Sequence, residues 1–366
     1  MAHDWLRPRI RHGITALGPF RTRSTAGGDQ IWSPVFVPKE RAEMRRFLAL
    51  AAKIAVSAAL LYVAFARVDL GTIGARLQQA NISWLVVLEF ALAAQLVLAA
   101  LRWRQIALQC GAQFTIPSAM RYVLIGWFFN QTLPSTIGGD AARVWLVSRA
   151  GTGWKPAAYS VVVDRIIGLA VLAVIVIVCM PWLLDLVRDP LGRVSVVLVN
   201  SAAIVATIVF LILGRVRWQW LDRWWITRHV AGTAAVAFKV VSTWHIASVV
   251  VGLSVAIHLL TIAAIWSAAR SVAAPLEFWQ ALLLVPPVVL VSTVPVSIAG
   301  WGVREGAMMT VFSYAGLLNS DGLIISILYG AGLFAIGAVG GLVWILGSDQ
   351  RIGTIDLEQN ESKSGY

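Results

Sequence analysis

The sequence predicts an all-α, polytopic membrane bundle, and three observations predict it. The 366 residues are 58% hydrophobic and only 13% charged, whereas soluble domains carry about 25% charged residues; mean hydropathy is +0.76. The apolar residues gather into eight segments, most of them close to the roughly 20 residues that a helix needs to cross a bilayer. A polar motif occurs twice between them: Leu133-Pro134-Ser135-Thr136-Ile137-Gly138-Gly139-Asp140-Ala141-Ala142-Arg143, and again Val294-Pro295-Val296-Ser297-Ile298-Ala299-Gly300-Trp301-Gly302-Val303-Arg304.

Residues 1–44 read as a polar, basic tail with no helical apolar period, the composition of a disordered segment. Arg45-Arg46 ahead of an apolar run imitates a twin-arginine signal. The run Phe47–Phe65 is longer than the 7–15 residues of a signal core, so it reads as a retained first span; Met44 is a candidate natural start. Full-length segments follow at Trp84–Leu101, Val161–Met180, Val194–Gly214, Ala247–Ala268 and Ile324–Leu346. Pro117–Leu133 and Phe278–Val294 are shorter, and each ends in a copy of the motif. Ala141–Ala150 and Val303–Gly316 follow the motifs with helical potential. The domain organisation is a tail (1–44), a membrane domain (45–347) and a polar tail (348–366) too short for a catalytic domain.

Charge chooses between two topologies. Eight plain spans would put the basic 215–245 segment, with Arg215, Arg217, Arg223, Arg228 and Lys239, on the outside, against the positive-inside rule. About six full spans plus two re-entrant helical hairpins keep that segment and both termini in the cytoplasm. The hairpins then enter from opposite faces, an inverted repeat of the kind secondary transporters use. The net charge of +12 encodes orientation and contact with anionic lipid, not nucleic-acid binding. Trp84, Trp182, Trp218 and Trp220 flank apolar runs as interfacial anchors. Cys110 and Cys179 lack metal spacing and read as packing residues.

Within the first motif, Pro134 ends one helix, Gly138 and Gly139 permit a sharp reversal, Asp140 stands where an N-cap would, and Arg143 shares its helical face. Gly300, Gly302, Arg304 and Glu305 repeat the pattern. The free N–H groups of each new helix form an anion site. An arginine there opposes the macrodipole, and a bound phosphate would reconcile the two. The competing reading is an Arg143–Asp140 or Arg304–Glu305 pair that only holds the hairpin. Asp164-Arg165 is either an interfacial pair or part of the same cavity. Glu89, with Gln95 nearby, lacks an identifiable partner, and His258 reads as a packing histidine before a proton carrier. No H-E-x-x-H, cysteine ligand pair, P-loop or G-x-S-x-G elbow occurs. The expectation is a protein that is not an enzyme and has no metal or cofactor.

The first motif, Asp164-Arg165-Ile166-Ile167-Gly168 and Gly300-Trp301-Gly302-Val303-Arg304-Glu305-Gly306 together resemble the transmembrane region of lysylphosphatidylglycerol synthases, over about residues 45–347. In bifunctional members of that family a soluble C-terminal domain makes an aminoacylated lipid from aminoacyl-tRNA and the membrane domain moves it. The resemblance implies the transport half. The expected function is binding and translocation of an amphiphilic phospholipid across the inner (plasma) membrane. Pro134, Gly138, Gly139, Asp140, Arg143, Asp164, Arg165, Gly300, Gly302, Arg304 and Glu305 would bind an anionic headgroup. The alternatives are a lipid-headgroup transferase, or its non-catalytic partner in envelope lipid or glycolipid synthesis. Envelope lipid-synthesis enzymes and a second copy of the chain are the candidate protein partners.

Overall fold

The computed structural model describes residue 62 and residues 70–133, 137–215, 224–293 and 301–347. The described residues form α-helices and no strands: α1 (Leu70–Gln78), α2 (Ile82–Gln109), α3 (Ile116–Thr132), α4 (Gly138–Val147), α5 (Trp154–Leu186), α6 (Pro190–Arg215), α7 (Trp225–Ser242), α8 (Trp244–Ser271), α9 (Phe278–Ser292), α10 (Val303–Tyr314) and α11 (Asn319–Leu346). Five of them, α2, α5, α6, α8 and α11, are long and apolar enough to cross a bilayer. The expected first span, Phe47–Phe65, lies outside the described residues apart from Tyr62, as do both tails.

Helix boundaries follow local chemistry. The Asn81 side chain accepts the Ser83 N–H (3.0 Å) to cap α2, and the Thr115 hydroxyl accepts the Ser118 N–H (3.3 Å) to cap α3; each satisfies a donor that the first helical turn leaves free. One π-turn, Ser148–Thr152, continues α4. Gly151 (φ 93°) and Gly153 (φ 80°) then reverse the chain into α5 through a backbone region that L side chains avoid.

Two helices lie in stretches that sequence reading left without structure. Helix α1 precedes α2. Helix α7 occupies much of the 215–245 segment and buries Thr233, Ala234, Ala237 and Val240 along one face. It lies against α6 so closely that a Cβ on Gly214 would fall 2.1 Å from the Ala234 carbonyl oxygen. The small residues make that approach feasible, and the spaced charges of Arg228 and Lys239 hid the apolar stripe from a reading based on charge.

The remaining helices form two sets of four, α2–α5 and α8–α11. Helices starting at residues 82, 116, 138 and 154 recur at 244, 278, 303 and 319, so the offset between counterparts stays within three residues. Packing between the sets is reciprocal: α3 lies on α11 as α9 lies on α5, and α2 touches α11 as α8 touches α5. The counterparts α2 and α8 pair antiparallel. Near one end the Asn81 N–H donates to the Ser271 carbonyl (2.8 Å); further along, an Arg102 N–H donates to the Ser254 hydroxyl (3.1 Å).

Lipid tails are as apolar as the side chains they would replace, so close packing holds membrane helices together. Gly340 illustrates this: a Cβ there would stand 2.1 Å from the Leu124 carbonyl oxygen of α3. Leu88, Leu92, Ile262, Ile265, Leu284, Phe312 and Leu323 interlock α2, α8, α9, α10 and α11 in the largest buried cluster. Aromatic groups mark both ends of the bundle. Trp84, Trp266 and Phe278 stack edge to face at one end, and Trp154, Tyr159 and Trp225 surround His229 at the other.

A buried arginine–carboxylate cavity between the two helix sets

A cavity of about 520 Å³ lies between the two sets, lined by Arg143 of α4 and Arg304 of α10 together with residues of α2, α3, α5, α8, α9 and α11. Its charged wall comes chiefly from α2, α4 and α5. Asp164 accepts from Arg102 Nε at Oδ1 (2.9 Å) and from Arg143 Nη2 at Oδ2 (3.2 Å). Asp140 accepts from Arg165 at both oxygens (2.8 and 3.0 Å) and from Arg143 Nη1 (3.4 Å). Three guanidiniums thus share two carboxylates. The Arg143 guanidinium also stacks on the Trp103 ring, 4.0 Å from its centre. Its Nε is buried with no hydrogen-bond partner among the described residues.

The second arginine is held differently. Arg304 donates to Glu305 Oε1 (2.7 Å) and to the Ser326 hydroxyl (2.9 Å), and Ser326 donates in turn to Glu305 Oε1 (2.9 Å). The other Glu305 oxygen accepts the Gly302 N–H (2.6 Å). Glu305 is fully buried and balances the charge of Arg304, so the excess positive charge in this cavity belongs to the Asp140–Asp164 side. Glycines make room for Arg102 and Arg304. A Cβ on Gly168 would lie 3.0 Å from Arg102 Nη1, and one on Gly330 would lie 2.3 Å from Arg304 Nη2. His258 also lines the cavity, and its Nε2 donates to the Gly168 carbonyl (3.0 Å).

Of the residues nominated from sequence, Asp140, Arg143, Asp164, Arg165 and Arg304 line the cavity. Gly138, Gly139, Gly302 and Glu305 stand behind it as support. Pro134 and Gly300 lie outside the described residues. Several expected roles change. Asp140 is not an N-cap: α4 starts at Gly138, and the Asp140 carboxylate is engaged by arginines. Gly138 and Gly139 are the first residues of α4, not a reversal. They are glycines for contact, since a Cβ on Gly139 would fall 2.0 Å from the Gly126 carbonyl oxygen. The expected anion sites at the helix N-termini are partly filled by the protein itself. Asn130 Oδ1 accepts the Gly139 N–H (2.9 Å), and Glu305 takes the Gly302 N–H. Anion-binding capacity therefore resides in the guanidiniums. Asp164 and Arg165 both line the cavity, Asp164 pairing with Arg102 and Arg143 and Arg165 with Asp140. Glu89 is half-buried on α2, away from the cavity lining.

Sequence reasoning missed Arg102, which it set at the edge of a span. Helix α2 continues to Gln109 and carries Arg102 inward, where it is only 8% exposed. The spacing of Gln95, Ala99 and Arg102, all lining the cavity, matches one helical face and was the available signal. Ser254 and Ser326 were also missed; a serine in an apolar run carries no comparable signal.

These features define an integral membrane protein: a helical bundle with apolar, bilayer-length helices around a polar, arginine-lined cavity. Residues 50–341 match the family described as the lysylphosphatidylglycerol synthase TM region, and the chain belongs to that family. Comparison with curated proteins finds no match.

Proposed function

We propose that this protein binds the anionic headgroup of a membrane phospholipid in the arginine-lined cavity and translocates that lipid across the bilayer. The observation that carries the reading is the charge of the cavity wall. Among the described residues, the carboxylates that meet Arg102, Arg143 and the half-exposed Arg165 are Asp140 and Asp164, and Arg143 keeps a buried, unpartnered Nε. A buried donor without a partner costs about 1–3 kcal/mol, more when charged. A phosphate oxygen would satisfy the donor and neutralise the excess charge together. A volume of about 520 Å³ is in the usual range for a ligand site.

In this reading α3–α4 and α9–α10 are re-entrant hairpins, the chain makes six full spans counting Phe47–Phe65, and the two helix sets form an inverted repeat. The antiparallel pairing of α2 with α8 and the reciprocal packing support it. Depth supports it as well. Arg102 is eighteen residues along α2 from Trp84, about 27 Å at 1.5 Å per residue, and Asp164 is ten residues along α5 from Trp154, about 15 Å. Together these approach the 40–45 Å of a bilayer with its headgroups, which supports a charged cluster inside the membrane. The positive-inside rule gives cytoplasmic termini in the plasma membrane. The movement itself is non-catalytic.

The test is translocation of a fluorescent phosphatidylglycerol in proteoliposomes. Arg143→Gln should slow it at least tenfold, and the double variant Arg143→Gln, Arg304→Gln further. Wild-type rates from a correctly inserted double variant would sink the assignment.

A further inference from the structure

A second concavity, about 560 Å³ and almost wholly apolar, lies between α4 and α5. Val144 and Trp145 form one wall; Ala158, Val161, Val162 and Ile166 form the other. It opens sideways, since Trp145, Trp154 and Val162 are all exposed. The φ-positive glycines of the α4–α5 turn make the two helices antiparallel, so the slot runs from that turn down to the charged cluster.

Its two ends differ in chemistry. At the turn, the Arg149 guanidinium sits over the Trp145 ring, 4.6 Å from its centre, beside Trp154. At the deep end the slot is bounded by Ile137, Asp140 and Arg165, and these same three residues line the arginine cavity. The bidentate Asp140–Arg165 pair stands between the two spaces. The slot wall from Ala158 to Ile166 rises through eight steps of helix, about 12 Å, close to the roughly 15 Å depth of one hydrocarbon leaflet. A cation at the interface and an apolar channel of leaflet length match the anatomy of a phospholipid standing in a leaflet, and the polar chamber beyond offers its headgroup a place to move to.

We propose that this slot holds one acyl chain of an anionic phospholipid, with its phosphate at Arg149, and that it is the lateral route by which the lipid reaches the arginine cavity. The inference rests on the reading of that cavity as a headgroup site. Arg149 collects the headgroup at the surface, and the Asp140–Arg165 pair partitions slot from cavity. The headgroup passes it by exchanging one guanidinium partner for the next, Arg149 to Arg165 to Arg143.

The experiment uses the full chain in vesicles of phosphatidylglycerol and phosphatidylcholine, with a trace of phosphatidylglycerol carrying a photoactivatable diazirine on one acyl chain. Cross-linked peptides are mapped by mass spectrometry. Per-residue labelling of 141–166 should exceed that of the exposed α6 face at Val205, Ile208 and Ile212 at least fivefold. Val162→Trp, which fills the slot, should cut that labelling several-fold and slow translocation in parallel. Arg149→Gln leaves the slot open and should reduce its preference for the phosphatidylglycerol probe over a diazirine-bearing phosphatidylcholine. Ala158→Leu serves as the filling variant if Val162→Trp fails to insert. Uniform labelling over all lipid-facing helices overturns the proposal, as does translocation at the wild-type rate from a variant whose slot no longer labels. Strong slot labelling in a protein that moves no lipid overturns the translocation reading alone, because slot occupancy does not depend on it.

Discussion

Replacing Asp164 with asparagine keeps the shape of the cavity wall and removes one of its two carboxylates. Arg102 loses its 2.9 Å ion pair and keeps the Ser254 hydroxyl; Arg143 loses its 3.2 Å contact and keeps Asp140 at 3.4 Å. Both arginines are buried, at 8% and 7% exposure. Removing one member of a buried ion pair typically costs about 3–5 kcal/mol, because the surviving charge remains desolvated. That is a large share of a folding stability of roughly 5–15 kcal/mol. The midpoint of thermal unfolding in detergent should fall by on the order of 5–15 °C. The cost comes from unbalanced charge and not from a missing contact, so adding Arg102→Gln to Asp164→Asn should recover at least half of the loss. A single variant that melts within about 2 °C of wild type, or a double variant less stable than the single, would refute the charge-balance argument.

Two glycine substitutions should probe close approaches at the site and in the bundle. Gly330→Ala meets Arg304 Nη2 at 2.3 Å, the atom that donates to the buried Glu305; displacing it disturbs that ion pair, so it should cut translocation several-fold and lower the melting temperature as well. Gly340→Ala meets the Leu124 backbone at 2.1 Å, which cannot move alone, and should destabilise the protein by about 1–3 kcal/mol in the same melts. Ser254→Ala strips Arg102 of its second acceptor and should cost about 1–3 kcal/mol; combined with Asp164→Asn the effect should exceed the sum, measured as a double-mutant cycle. Burial pushes the Cys110 thiol up to about 12, with Lys239 pulling it partly back. At pH 8 its alkylation should run roughly a thousandfold slower than that of a free thiol near 8.5, and denaturant should abolish the difference. Because the folded state holds this proton more tightly, the associated stability is complete below about pH 8.5 and is lost as pH rises towards 12.

Much of the helical layout is legible in the chain. The apolar segments at Trp84–Leu101, Val194–Gly214 and Ala247–Ala268 sit inside α2, α6 and α8, because hydropathy and helix length are properties of consecutive residues. The duplicated motif pointed to two related half-sites, and Arg143 and Arg304 do line one cavity. The helix ends were less legible. Arg102 read as a surface cation because the apolar run stops at Leu101, yet α2 continues, and the charge is tolerated only because Asp164, 62 residues later, meets it. Gly138 and Gly139 read as a turn because glycine permits one; the true constraint on Gly139 is the α3 backbone at Gly126, and that on Gly138 is Leu133.

The sequence by itself determined the membrane class, the apolar segments behind all five bilayer-length helices and the repeat that doubles the arginine motif. Tertiary structure alone decided the electrostatics of the site: Arg304 is neutralised by its own neighbour, while Arg102, Arg143 and Arg165 share too few carboxylates. Hydropathy and repeats act along the chain, within a few residues of one another. Charge balance in a low-dielectric interior depends on distances between helices, which chain order does not contain.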